Sequence, residues 1–224
     1  MSTLIGRHEL KFHINLADCM GLRAALRVAT RPDENSGDDN SYTIRSLYFD
    51  NYSDKAVFEK LSGQSQREKF RLRYYNDDVT FIRLEKKSKV NQLVYKESTL
   101  ITTLQCEQLL RRSYNCLKQH DSLMLELYAK IHSQNLRPMN IVEYNREAYV
   151  YKAGNVRITL DTKIKTSSNV AGFLNPSQVG IPAANTIILE VKYDGFLPDF
   201  IRNLVQLNCR NQSEFSKYIA ARIV

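Results

Sequence analysis

No apolar run in this sequence approaches the roughly 20 residues that a membrane-crossing helix needs. The opening MSTLIGRHELK also carries charges where a secretion signal would need its apolar stretch. A cytoplasmic protein without a span of its own is the expectation. Cysteine is scarce: Cys19, Cys106, Cys116 and Cys209 form no CxxC pair and no tight metal spacing, which favours buried, reduced thiols over a zinc site or a disulfide frame. His8, His13, His120 and His132 are scattered. No HExxH motif, P-loop or GxSxG elbow is present, so the zinc-hydrolase, nucleotide-loop and serine-hydrolase routes lose support. Internal repeats, low-complexity tracts and clear linkers are also missing, and one domain over residues 1–224 is expected. Acidic residues are the minority charge, 24 against 32 Lys and Arg, giving a net charge of +8. That excess calls for an anionic partner: nucleic acid, a membrane surface or a phosphorylated small molecule.

What the chain does have is alternation. In KFRLRYY, Lys69 to Tyr75, the residues Lys69, Arg71 and Arg73 share one face of a strand while Phe70, Leu72 and Tyr74 share the other. FIRLEKK, Phe81 to Lys87, repeats the device with Arg83, Glu85 and Lys87 opposite Ile82 and Leu84. The same reading gives strands over Ile5–Ile14, with Arg7, Glu9 and Lys11 together, and over Tyr42–Asp50, with Arg45, Leu47 and Phe49 on one side. Further strands are expected over Asn91–Ser98 (Lys96 with Gln92 and Val94), Met139–Tyr151 (Tyr144, Arg146, Ala148), Val156–Asp161 (Arg157, Thr159, Asp161) and Thr186–Tyr193 (Glu190, Lys192). Helices are expected after an Asn15 cap to Thr30, from Ser53 to Leu61, from Thr103 to Ser113 behind a Thr102/Gln105 capping box, after an Asp121 cap to Asn135, after Pro198, and over Ser213–Val224. Residues 162–185 show no period and read as a long loop, functional or mobile.

Eight mostly one-sided strands with interspersed helices predict an α+β fold, a largely antiparallel sheet whose apolar side the helices cover. On an open sheet the charged side would be ordinary solvated surface. Cations recur on at least seven strands, however, and a sheet closed into an eight-stranded antiparallel barrel would turn them into the lining of a tunnel. So many like charges at close quarters need a polyanion, and a ligand with several phosphates in a row suits the mixture of bidentate Arg and compact Lys. Glu9, Glu85 and Glu190 interrupt the lining. They balance charge, or help to hold a hard divalent cation shared with phosphate oxygens.

These stretches, in order, resemble a known family: RHELKF (Arg7–Phe12), IRSLYFDN (Ile44–Asn51), KFRLRYY, LEKKSK (Leu84–Lys89), YNREAY (Tyr144–Tyr149), VRITLDT (Val156–Thr162), LEVKYDG (Leu189–Gly195) and FSKY (Phe215–Tyr218). The chain is similar to the VTC domain, the polyphosphate polymerase module of the vacuolar transporter chaperone complex, within the triphosphate tunnel (CYTH-like) superfamily. The resemblance implies the closed basic barrel, ATP held by its triphosphate, transfer of the terminal phosphoryl group to polyphosphate, and Mn2+ or Mg2+ as cofactor. By matching motifs it implies that Lys11, Arg71, Arg73, Lys87, Lys96, Arg146, Arg157 and Lys217 hold phosphates and that Glu190 binds the metal. Arg71, Arg73, Lys87, Arg146, Arg157 and Glu190 form the expected catalytic set. Strand facing adds Arg45 and Lys192 to the substrate-binding residues, and Glu9 is a secondary metal candidate. The chain departs from the superfamily's ExExK opening at Arg7, and has Glu214 where the polymerases have a second lysine before Lys217. A triphosphatase or a non-catalytic polyphosphate or nucleotide sensor on the same tunnel are the alternatives. Nucleic acid is not expected and is the weakest reading, because packing explains Tyr74, Tyr75 and Tyr95 as well as base stacking does, and a separate membrane partner stays open.

Overall fold

The computed structural model describes residues 6–206 apart from 35, 38–39, 119–120, 179 and 184–185, together with 216–218. Every alternating stretch forms a strand. In chain order the elements are β1 (His8–Ile14), α1 (Leu16–Ala29), β2 (Arg31–Pro32), β3 (Ser41–Asp50), α2 (Lys55–Leu61), β4 (Gln66–Tyr75), β5 (Ile82–Val90), β6 (Leu93–Ile101), α3 (Thr103–Leu110), α4 (Ser122–Gln134), β7 (Arg137–Tyr151), β8 (Val156–Ser167), β9 (Ile181–Pro182), β10 (Ile187–Tyr193) and α5 (Asp199–Leu204). The predicted caps are in place. Asn15 accepts from the Asp18 N–H at 2.8 Å, Thr102 and Gln105 form the capping box, and Asp121 accepts from Leu123 and Met124 at 2.9 and 3.1 Å.

Eight strands run in the order β1-β10-β8-β7-β3-β4-β5-β6, with β2 added to β7 and β9 to β8, and every pair is antiparallel. At the two ends of this path Arg7 and Val94 exchange both backbone hydrogen bonds at 3.0 Å. Gly6 lies so close to β6 that a Cβ there would sit 2.9 Å from the Tyr95 ring. The sheet therefore curls until its edges touch, yet among the described residues this single bridge is their only backbone pairing. The fully laddered barrel expected from the sequence is reduced to one rung, and side chains span the rest of the gap, as where Lys87 of β5 donates to Glu9 of β1 at 2.7 and 2.8 Å.

The outward faces carry the apolar half of each alternation. Leu47, Phe70, Leu72, Tyr74, Ile82 and Leu84 pack beneath α3 and α4, while Phe12, Ile158, Leu160, Leu189 and Val191 pack beneath α1 and α5. Each fully buried Leu there contributes about 1.5–3 kcal/mol, so the outer face anchors the sheet and the inner face is left for charge. A smaller cluster with Ile44, Val142, Tyr144 and Ile188 lies on the inner side.

The stretch 162–185, expected as a long loop, is partly strand. β8 continues to Ser167 and β9 pairs with it, while residues 170–174 make a short 3-10 turn. Lys163 has a φ of +51° opposite a register shift between Glu143 and Asn145. This irregularity breaks the two-residue period, which is why alternation stopped being readable after Asp161. Of the expected helix over 213–224, only Ser216, Lys217 and Tyr218 fall within the described residues.

Candidate active site

Strand alternation builds one charged cavity. β4 contributes Arg67, Lys69, Arg71 and Arg73, β5 adds Lys87 and Lys89, and β1 and β10 supply Glu9, Lys11, Glu190 and Lys192. Tyr48 of β3, Tyr144 and Arg146 of β7, Lys60 of α2, and Ser216 and Lys217 complete most of the lining. Eleven Lys and Arg side chains meet there with two carboxylates, and Glu85 and Asp161 stand against them in the wall.

Register decides how these charges are balanced. Arg71 lies opposite Glu85, Arg146 opposite Asp161 and Lys11 opposite Glu190, each a favourable cross-strand pair. Lys69 faces Lys87, Lys87 faces Lys96, and Arg67 faces Lys89, so these rungs bring like charges together. The contacts follow the same division. Asp161 takes Arg146 at 2.6 and 2.8 Å and also pairs with Lys217; Glu85 takes Arg71 at 2.7 Å; Arg73 donates to Ser46 Oγ at 2.9 Å and Tyr144 Oη at 3.2 Å. Glu9 and Glu190 are tied by the Lys11 ammonium, 2.6 Å from Glu9 Oε1 and 3.3 Å from Glu190 Oε2, and Lys192 lies 2.8 Å from Glu190 Oε1.

Burial dominates the titration of these groups, and the neighbouring charges set its outcome. Burial pushes the Glu190 carboxyl up, but Lys192, Lys11, Arg146 and Lys87 outweigh it and hold the group well below the ordinary carboxylate range. Glu9 is likewise held low by Lys11, Lys87 and Lys192 against burial and Glu190. Lys87 is pulled down to about 7 by burial, with Lys11 and Lys192 adding to the effect against the attraction of Glu9. Lys69 falls to about 8, again chiefly through burial. The cavity thus holds a firmly ionised acidic pair beside two lysines that give up their protons more readily than usual, Lys87 more so than Lys69.

A family model for the VTC domain matches residues 6–224. The chain belongs to the VTC domain family. No curated protein matches in sequence. Two solved structures share the fold: a candidate adenylate cyclase of Bacillus halodurans (12% identity, TM-score 0.56, covering 95% of this chain and 96% of that one) and HpAC1, a candidate adenylyl cyclase of Hippeastrum (13% identity, TM-score 0.56, covering 98% and 96%). The structure of HpAC1 is described as revealing a dominant triphosphatase activity.

Of the residues expected to act in this VTC domain, the cavity collects Glu9, Lys11, Arg71, Arg73, Lys87, Arg146, Glu190, Lys192 and Lys217. Three others lie elsewhere. Arg45 faces outward with Leu47 and Phe49, and its guanidinium is buried against Glu143 Oε2 at 3.2 Å and the carbonyls of Pro176 and Gly172 at 3.2 and 3.1 Å. Strand facing places Arg45 among the substrate-binding residues, but the side it shares with Leu47 and Phe49 is the helix-covered one. Arg157 keeps the inward parity of Asp161 but sits four residues nearer the start of β8, where it donates to Tyr42 Oη at 2.8 Å and pairs with Asp33 at 3.0 Å. Lys96 lies on Glu85 with its side chain half exposed. The residues missed include Arg67 and Lys89, legible as in-phase continuations of Arg71 and Lys87, and Asp161, legible from its place beside Arg157. Lys60 comes from a helix and gave no signal.

No group of three or more His, Cys, Asp and Glu side chains converges among the described residues. Glu9 and Glu190 do converge, bridged by Lys11, and are hard oxygen donors held ionised. They fit a cation that takes its remaining ligands from phosphate oxygens.

Proposed function

We propose that this VTC domain is a polyphosphate polymerase that grips ATP by its triphosphate inside the curled sheet and passes the terminal phosphoryl group to a growing polyphosphate chain. The observation that carries this reading is the excess of basic groups, eleven Lys and Arg side chains against four carboxylates, gathered in one cavity. In this reading residues 1–224 act as one unit in the cytoplasm, and the sheet serves as a closed tunnel. No helix among the described residues is long and apolar enough to cross a membrane.

Phosphoryl transfer through a loose transition state needs positioning and neutralisation of charge more than a covalent nucleophile. Arg73 and Arg146 are buried and Arg71 is half-buried on Glu85 and Tyr48, so their guanidinium groups are oriented before a phosphate arrives. Lys11, Lys87, Lys192 and Lys217 would move from carboxylate partners to phosphate oxygens as the chain enters. Glu9 and Glu190 would hold Mn2+ or Mg2+, which when bound spreads charge between bridging and terminal phosphate oxygens. No side chain need act as general base, because the end of a polyphosphate is already ionised.

A triphosphatase is the second reading, favoured by the activity described for HpAC1 on a similar fold. Incubating the purified protein with ATP and Mn2+ and separating long-chain polyphosphate from orthophosphate decides between them. Long chains support the polymerase; orthophosphate alone refutes it; ATP bound without turnover points to a sensor.

A further inference from the structure

All four oxygens of the carboxylate pair are already in ion pairs with ammonium groups. Glu9 Oε1 lies 2.6 Å from Lys11 and 2.8 Å from Lys87, and Glu9 Oε2 lies 2.7 Å from Lys87. Glu190 Oε2 lies 3.3 Å from Lys11, and Glu190 Oε1 lies 2.8 Å from Lys192. Lys11 bridges the two acids most closely, and Lys192, set against Glu190, also lies 4.0 Å from Glu9 Oε2. A divalent cation approaching Glu9 and Glu190 would therefore find both engaged and meet three positive charges in a cavity that excludes much of the screening water. A phosphate chain changes this, because its oxygens offer the lysines other partners and leave the carboxylates to the metal.

We propose that Lys11, supported by Lys87 and Lys192, is a placeholder for the divalent cation, so that the metal binds tightly only after a phosphate chain has drawn these ammonium groups away. This rests on the reading that the cavity holds both a phosphate chain and a metal. Coupling of this kind is reciprocal: whatever factor the phosphate chain adds to metal affinity, the metal adds to phosphate affinity. Bare carboxylates would instead load metal first and gain little from the chain. The arrangement also explains why a strongly basic lining tolerates two adjacent buried acids, since each is neutralised in the absence of both ligands.

The test uses Mn2+ alone, followed by the paramagnetic resonance signal of the free ion, with no nucleotide or phosphate present. Wild-type protein should bind weakly. Lys11→Met, which removes the ammonium closest to both acids and frees Glu190 Oε2, should bind about tenfold or more tightly, and Lys11→Arg, which keeps a bridging cation, should stay near wild type. Lys192→Met opens chiefly Glu190, since its contact with Glu9 is the longer one, and should give a smaller gain, which provides a second reading if Lys11→Met does not fold. Adding Glu190→Gln to either Met variant should abolish the gain. Equal Mn2+ affinity in wild type and the Met variants, or tight binding by wild type without phosphate, overturns the proposal. Because nothing here depends on turnover, that result would leave the polymerase and triphosphatase readings to be judged by their products.

Discussion

Replacing Asp161 by Asn tests whether buried carboxylates hold the cavity together before substrate arrives. Asp161 is fully buried, and its two oxygens take Arg146 at 2.6 and 2.8 Å while also pairing with Lys217. Asn preserves the shape and removes the charge, leaving a buried guanidinium and a buried ammonium without their counter-ion. Breaking a buried pair in this way costs about 3–5 kcal/mol, and each kcal/mol shifts the melting temperature of a domain this size by about 2–4 °C. Asp161→Asn should therefore melt about 6–20 °C below wild type at pH 7. Burial works to raise the Asp161 pKa, but Arg146 and Lys217 outweigh it and lower it. Its stabilising contribution is thus complete above the ordinary Asp value of about 3.9 and is lost as pH falls through the depressed folded value. The gap between variant and wild type should accordingly persist to pH 5 and close only in strong acid. Inorganic triphosphate should raise the melting temperature of the variant more than that of wild type, because phosphate supplies the missing negative charge. A variant that melts within about 2 °C of wild type at pH 7, or one that triphosphate stabilises no more than wild type, would refute this account of the cavity.

Other consequences can be checked separately. With Lys87 depressed to about 7 and Lys69 to about 8, triphosphate binding must take up protons above those values. Its affinity should fall as pH rises from 7 to 9, by about tenfold per unit where Lys87 alone takes up a proton and more steeply above 8 where Lys69 does too, and Lys87→Gln should flatten the slope between 7 and 8; a level wild-type titration curve would sink the assignment. Arg45→Ala should lower stability by about 3 kcal/mol, through its lost buried hydrogen bonds, without weakening triphosphate binding, as calorimetry on the folded variant would show. Gly154 has a φ of +72°, and a Cβ there would come within 2.4 Å of the Phe196 carbonyl oxygen. Gly154→Ala should thus cost more than about 1 kcal/mol, and a denaturation midpoint equal to wild type would contradict the close approach.

Much of the cavity was legible because the side chains that build it sit on clean two-residue alternations. Arg71 and Arg73 oppose Phe70 and Leu72, and Lys11 opposes Leu10 and Phe12, so the charged face declared itself. Arg45 was misplaced for the converse reason: it shares its side with Leu47 and Phe49, and alternation says which residues are companions without saying which side is inside. Asp161 lay on the right face, but its role as counter-ion to Arg146 depends on the pairing of β7 with β8, which no local pattern encodes. The extent of closure was equally non-local, since it rests on one meeting of Arg7 with Val94 between strands at opposite ends of the sheet. Past Asp161 the positive φ at Lys163 puts the alternation out of step, so the strand that continues there carries no readable period.

The central claim is that this inner face carries out phosphoryl transfer, and the most direct measurement is product analysis with ATP and Mn2+ on wild type, Arg73→Ala and Glu190→Gln side by side. Arg73 is buried and donates to Ser46 and Tyr144 inside the cavity, and Glu190 is the acid toward which Lys11 and Lys192 converge. The account predicts long-chain polyphosphate from wild type and a loss of about 10²–10³-fold in its rate of formation in each variant. Orthophosphate as the only wild-type product would contradict the polymerase reading, and polymer formed at the wild-type rate by both variants would contradict the site.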